Sequence, residues 1–175
     1  MVRKIGILAT SVSLLAIVIF SVTFAGAASP KIASEETMTL TTKQTNGVLI
    51  DLGQRGLSAG DLFEYRSALW SHGEKVGVEN GNCSPHFPVS SHHLRFLCSA
   101  VSSDIFGRGQ ILSAGAFTLD VTAGQLRRGT NIFAHAANGS DITFAITGGT
   151  HDFENVRGQI HEFSNSSREV YDLLP

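Results

Sequence analysis

The run Phe144-Ala145-Ile146-Thr147-Gly148-Gly149-Thr150-His151-Asp152-Phe153-Glu154-Asn155-Val156-Arg157-Gly158-Gln159-Ile160 decides the fold class, because it sets two β-type runs about a pair of glycines. Gly148 and Gly149 reach the positive φ angles of a tight turn without steric cost. Phe144–Thr147 before them and Val156–Phe163 after them carry the branched and aromatic side chains that suit a pleated surface. The pattern predicts the closing hairpin of a sheet. Thr150–Arg157 is too polar to be core throughout, so part of it belongs to the connection at a rim. Gly158 weakens the second run unless the backbone bends there or lies close to something, as the corner of a small closed barrel requires.

Upstream of this stretch the alternation continues. Val48–Leu52 reads as a short apolar strand, and the loop between Gly53 and Gly60 follows it. Asp61–Arg66 alternates polar and apolar side chains, Ala68-Leu69-Trp70 ends that strand, and Ser71–Glu74 turns into Lys75-Val76-Gly77-Val78. Glu79-Asn80-Gly81-Asn82 reads as a turn before Cys83. Pro85 and Pro88 argue against a central strand, and β character returns at His93–Ala100 and again at Gln110–Phe117. Thr118–Thr122 and Asn131–His135 are weaker strand candidates. No window of helical length shows sustained three-four apolar spacing, and seven to nine strands are expected. Closing them into an eight-stranded antiparallel barrel removes the sheet edges and leaves room for one small ligand.

The 175 residues divide unevenly. Arg3 and Lys4 precede an apolar run from Ile5 to Phe24 that ends in Ala25-Gly26-Ala27, so residues 1–27 read as a secretory signal peptide cleaved after Ala27, the rival reading being a single N-terminal transmembrane anchor. A secreted location and no stable membrane anchor after cleavage follow as expectations. Residues 28–44 are a tail or edge segment, 45–165 the barrel and 166–175 a C-terminal tail. Removing residues 1–27 takes two of the 13 basic residues and none of the 15 acidic ones, leaving a formal charge of −4. With no basic run, nucleic acid is not an expected partner.

Cys83 and Cys98 are the only cysteines. Export makes a disulfide the expected state, while the rival is a metal site drawing on His86, His92 and His93. Neither cysteine has a partner at zinc-knuckle spacing.

Gly60-Asp61-Leu62-Phe63, Lys75-Val76-Gly77 with Gly81 and Cys83, Gly109-Gln110-Ile111, and Thr147-Gly148-Gly149-Thr150 with Val156-Arg157-Gly158 resemble the signature order of the allene oxide cyclase barrel and dirigent family. The resemblance implies an apolar cavity for a small hydrophobic molecule, no cofactor, and commonly a homotrimer. Plant members steer phenoxyl-radical coupling or cyclise an unsaturated fatty-acid epoxide. An acid at the end of the first strand is matched by Asp51. The second acid of the dirigent pattern is absent, since the corresponding segment reads Ser67-Ala68-Leu69.

Three candidate catalytic residues result. Asp51 interrupts an apolar strand, so its carboxylate either faces solvent or sits in a cavity with a raised pKa. Glu64 is a cavity acid or part of a solvated face with Arg66. Arg157 lines a barrel mouth or pairs with an acid on a neighbouring strand. The functional expectation is a secreted barrel that binds a small hydrophobic molecule and directs its stereochemistry. The alternatives are an allene oxide cyclase-type isomerase and a non-catalytic surface barrel.

Overall fold

A computed structural model describes residues 34–52, 57–88, 93–136, 141–164 and 166–175, so the expected signal peptide lies outside the described residues. Eight antiparallel strands form a closed barrel: β1 (Glu36–Ile50), β2 (Leu62–Ser71), β3 (Glu74–Pro88), β4 (His93–Ser103), β5 (Gln110–Asp120), β6 (Ile142–Gly149), β7 (Arg157–Glu162) and β8 (Arg168–Leu174). Each pairs with its sequence neighbour. β8 closes the ring on β1 through a register running from Glu36 opposite Leu173 to Thr41 opposite Arg168.

Period-two side-chain placement does the sorting. On β2, Phe63, Tyr65, Ser67 and Leu69 are buried while Glu64 and Arg66 are exposed. Met38 and Leu40 on β1, Phe96 on β4, Ile111 and Leu119 on β5, Phe144 and Ile146 on β6, Ile160 on β7, and Tyr171 and Leu173 on β8 complete a continuous apolar core. Burying side chains of this size, at about 1.5–3 kcal/mol each, is the main force holding the ring.

The ends of the chain depart from the sequence reading. Residues 168–174, expected in a tail, are the strand that closes the barrel, and the supposed N-terminal edge segment is the first half of a single long β1. Alternation explains both. Met38 and Leu40 enter the core, and on β8 Glu169, Tyr171 and Leu173 are buried between half-buried or exposed neighbours. The seam is therefore β1–β8, not the Gly148-Gly149 hairpin.

The glycine pair does not itself turn the chain. β6 continues through Gly149, which pairs with Ile111, and the reversal is made by a 3-10 turn at His151–Phe153, with His151 and Asn155 at positive φ. Gly149 is required for a different reason: a Cβ there would lie 2.5 Å from the Phe153 carbonyl oxygen.

Two further segments differ. Glu79–Asn82 is not a turn but the middle of β3, which runs on to Pro88 beside β4. The prolines are tolerated because β2 pairs with β3 only as far as Cys83, leaving that side of β3 open, and because the β3–β4 register shifts between Pro85 and Phe87. Asn131–His135 supplies a 3-10 turn rather than a strand.

Cys83 and Cys98 form the expected disulfide. They sit opposite each other on β3 and β4, so the bridge staples two paired strands instead of tying down a free loop. Reducing it is expected to remove about 3 kcal/mol. In hydrogen exchange the far end of the β3–β4 pair should loosen before β6 and β7, whose ladder does not depend on the cysteines.

The two ends of the barrel are finished differently. At one, the segment from Val121 to Ala136 folds over the mouth. It carries helix α1 (Ala123–Arg127), held by a reciprocal capping box between Thr122 and Gln125, and it buries Leu126, Ile132 and Phe133. Gln44 Nε2 donates to the carbonyls of Gly129 and Thr130, both at 3.1 Å, and fastens this cap to β1.

At the other end Arg108 donates from Nη1 and Nη2 to both Glu36 oxygens and from Nε to Asp152, with its guanidinium 5.0 Å from the Phe153 ring centre. Its hydrogen bonds hold the Glu36 pKa below the ordinary value, so this contribution exists above that value and fades as pH falls through the lowered one. Arg108→Ala is expected to cost about 1 kcal/mol near neutral pH and less in acid, read by urea unfolding.

Candidate active site

Three carboxyl groups sit on the inner wall of the barrel. Glu79 on β3 shares its face with Gly77, Gly81 and Cys83; Glu162 on β7 shares its face with Ile160; Glu169 on β8 shares its face with Tyr171. They are 5 %, 6 % and 2 % exposed. Among the described residues no Lys, Arg or His is buried with them.

A hydrogen-bonded chain joins two of the acids. Tyr171 OH donates to Glu169 Oε2 at 2.8 Å, Ser102 Oγ lies 3.1 Å from Tyr171 OH, and Ser102 Oγ donates to Glu79 Oε2 at 3.1 Å. Tyr65 projects from β2 over Gly81, where any Cβ would overlap its ring. Its hydroxyl is buried with no partner at hydrogen-bond geometry, although Glu79 lies close enough to act on its ionisation.

Burial is the main cause of every shift in this cluster. It drives Glu162 well above the usual carboxylate range, with the charges of Glu169 and then Glu79 adding to it. Glu169 is likewise raised well above that range by burial and by Glu79, against the lowering effect of the Tyr171 hydrogen bond. Glu79 rises by burial, offset by the nearby Tyr65 hydroxyl and by the hydrogen bond from Ser102. Tyr65 and Tyr171 are both pushed up by burial and by the neighbouring acids. The cluster therefore holds its protons to higher pH than exposed carboxylates do, which suits its acids to proton donation.

A pocket of about 250 Å³ at the capped mouth is lined by Thr42, Phe133, Ala134, Glu162, Ser164 and Ser167, so Glu162 faces both the mouth and the interior acids. Phe133 meets Tyr65 edge-on at 4.8 Å between ring centres and lies 6.0 Å and 6.1 Å from Phe117 and Phe144. Aromatic surface and acid cluster thus join at Tyr65. A roomier groove of about 470 Å³ runs along the outside of β1–β4, bordered by Asn46, Glu64, Arg66, Asn80 and Asn82. It is open to solvent and its acid, Glu64, is exposed, so the smaller mouth pocket is the better candidate.

The residues singled out in the sequence lie elsewhere. Asp51, just past β1, is 3.4 Å from Arg127 of α1 and ties the cap to the barrel. Glu64 faces outward beside Arg66. Arg157 is exposed at the start of β7, donating to the Val156 carbonyl at 2.9 Å. Cys83 and Cys98 are inner-wall residues, and their pairing excludes the thiolate metal site. Among the described residues no three His, Cys, Asp or Glu side chains gather as a metal site, and no helix is long and apolar enough to cross a membrane. Asp61, also buried, is a loop anchor, accepting from the Leu52 and Ser58 amides at 2.9 and 2.7 Å.

The three glutamates were missed, although parity carries a signal for each. Glu79 falls two residues from Gly81 and four from Cys83, on the face a disulfide between paired strands buries. Glu162 is in phase with Ile160, and Glu169 with Tyr171 and Leu173.

Comparison with family models and with curated proteins finds no match. Solved structures do resemble the chain. Pyocyanin demethylase superposes with a TM-score of 0.59 at 21 % identity, over 79 % of this chain and 100 % of its own. A nonspecific heme-binding cyclase that catalyses a cycloaddition during neoabyssomicin biosynthesis gives 0.44 at 15 % identity, over 79 % of this chain and 64 % of its own. The Diels-Alderase AbmU from Streptomyces koyangensis gives 0.47 at 16 % identity, over 81 % and 69 %. The likeness to pyocyanin demethylase is one of fold.

Proposed function

We propose that this chain is a secreted barrel that takes a small, largely apolar ring molecule through the capped mouth and presents its polar end to Glu162, Glu169 and Glu79. The observation that carries the reading is the unpartnered Tyr65 hydroxyl aimed into three buried carboxyl groups. Three acids in an apolar interior weaken the fold unless something else is gained, and such concentrations of perturbed groups are typical of sites that handle substrate. The disulfide suits an oxidising compartment.

Protonated carboxyls beside an aromatic wall suit general-acid assistance to a rearrangement or cyclisation within the bound molecule, with the wall setting its stereochemistry. Such chemistry balances its proton within the cluster and asks for no redox partner. The dirigent-like acid pair is then unnecessary, because the acids come from β3, β7 and β8. Pyocyanin demethylase acts, by its name, on a small molecule, which accords with this reading without carrying it.

A thermal-shift panel of small phenols, fatty-acid derivatives and fused-ring compounds tests the reading. At least one class should raise Tm in a dose-dependent way, and Ala134→Trp at the mouth should abolish the shift while leaving the unliganded Tm unchanged. No shift across the panel, or a shift that survives the blocked mouth, would sink it.

A further inference from the structure

We propose that the molecule this site takes is an organic cation, a flat ring system carrying a quaternary or protonated nitrogen. The inference rests on the ligand-binding reading above and names the class of ligand.

Among the described residues, every titratable group that faces the cluster is an acid. β2 contributes Tyr65, β3 Glu79, β7 Glu162, and β8 Glu169 and Tyr171; β4 adds only the Ser102 hydroxyl. The basic side chains nearest the mouth are engaged outside the core, Arg168 over the Phe163 ring at 4.2 Å, His161 with Asp172 at 3.6 Å and His135 with Thr130 at 3.3 Å. An interior with three carboxyls and, among the described residues, no counter-charge is completed best by a ligand that brings one. A neutral ring gains only hydrogen bonds there, whereas a cation also lets the acids ionise.

Phe133 lines the same pocket as Glu162, and its ring packs with Tyr65, Phe117 and Phe144 at centre distances of 4.8–6.1 Å. Aromatic rings grouped beside carboxylates suit a quaternary ammonium ligand, because the π quadrupole and the acid attract the same charge. Tyr65 belongs to both groups, and its unsatisfied hydroxyl marks the point where the ligand's polar edge should lie.

Two probes of nearly equal shape separate charge from fit: N-methylquinolinium and 1-methylnaphthalene. With the intact disulfide-bonded protein at about pH 8, calorimetry should show the cation bound at least about tenfold more tightly. Its binding should release protons, read as a dependence of the heat on buffer ionisation enthalpy, and should weaken towards about pH 5 as the acids hold their protons. Glu162→Gln should remove most of the preference, read as a loss of N-methylquinolinium affinity larger than any change for 1-methylnaphthalene. Equal affinity for the two probes, or cation binding without proton release, overturns the inference and leaves the ligand-binding reading standing. Binding of neither probe, with no hit in the broader panel, overturns both. The proton-release measurement needs no variant, so a poorly folding Glu162→Gln protein does not spare the proposal.

Discussion

Gly158→Ala is expected to destabilise the barrel by on the order of 4 kcal/mol, the largest effect of a methyl group added at any described glycine. Gly158 sits in β7 opposite Leu173 with φ of 128°, a backbone conformation that L residues rarely adopt. A Cβ at this position would also overlap the Asp172 carbonyl oxygen on β8. That oxygen is backbone, so relief requires β7 and β8 to separate. The damage lands beside the β1–β8 seam, where the ring has no loop to absorb it. Urea unfolding of the variant, with near-ultraviolet circular dichroism to report packing, checks the size of the loss. A cost below about 1 kcal/mol would mean that the β7–β8 contact is looser than described.

The second large effect is an inverted pH dependence of stability. Glu79, Glu162 and Glu169 all have folded pKa values raised above the ordinary 4.5 by burial. The folded protein therefore holds protons that the unfolded chain has given up. The stability linked to these groups is fully present below the unfolded pKa and is lost as pH rises through the raised folded values. Glu36 acts in the opposite sense at the far end of the barrel, but it is one partly exposed group against three buried ones. Glu162→Gln should accordingly raise stability by on the order of 2 kcal/mol at about pH 8 and leave it unchanged at about pH 4. The same variant should lose ligand. A gain in stability paired with a loss of binding marks a group kept for function. Equal destabilisation at both pH values would instead mark an ordinary core hydrogen bond.

How much of this was legible in the chain depends on which physical signal each residue carried. β2 was readable because Asp61–Arg66 alternates, and the turn at His72-Gly73 was readable because glycine takes a positive φ there. The class followed from such runs and from the lack of helical spacing. β8 was not readable as a strand because Arg168-Glu169-Val170-Tyr171-Asp172 looks like a solvated tail until its partner β1 is known. Closure of a barrel is a relation between the chain's two ends, and no local window contains it.

The same blindness hid the acids. A glutamate in a polar stretch is read as surface by composition, and only the register shows that Glu79 faces inward with Cys83 while Asn80 and Asn82 face out. Asp51 attracted notice because it interrupts an apolar run, yet its work is to hold α1 through Arg127. Gly81 was read as turn-forming, and its use is to leave space for the Tyr65 ring.

Carbon-13 NMR titration of the glutamate side-chain carboxyls, with Glu79, Glu162 and Glu169 assigned by substitution, tests the central claim most directly. The account predicts that Glu162 and Glu169 ionise well above the usual carboxylate range, that Glu79 lies above it too, and that added N-methylquinolinium moves them downward. Ionisation of all three near the ordinary value of 4.5, indifferent to the probe, would contradict a buried acid cluster as the working part of this barrel.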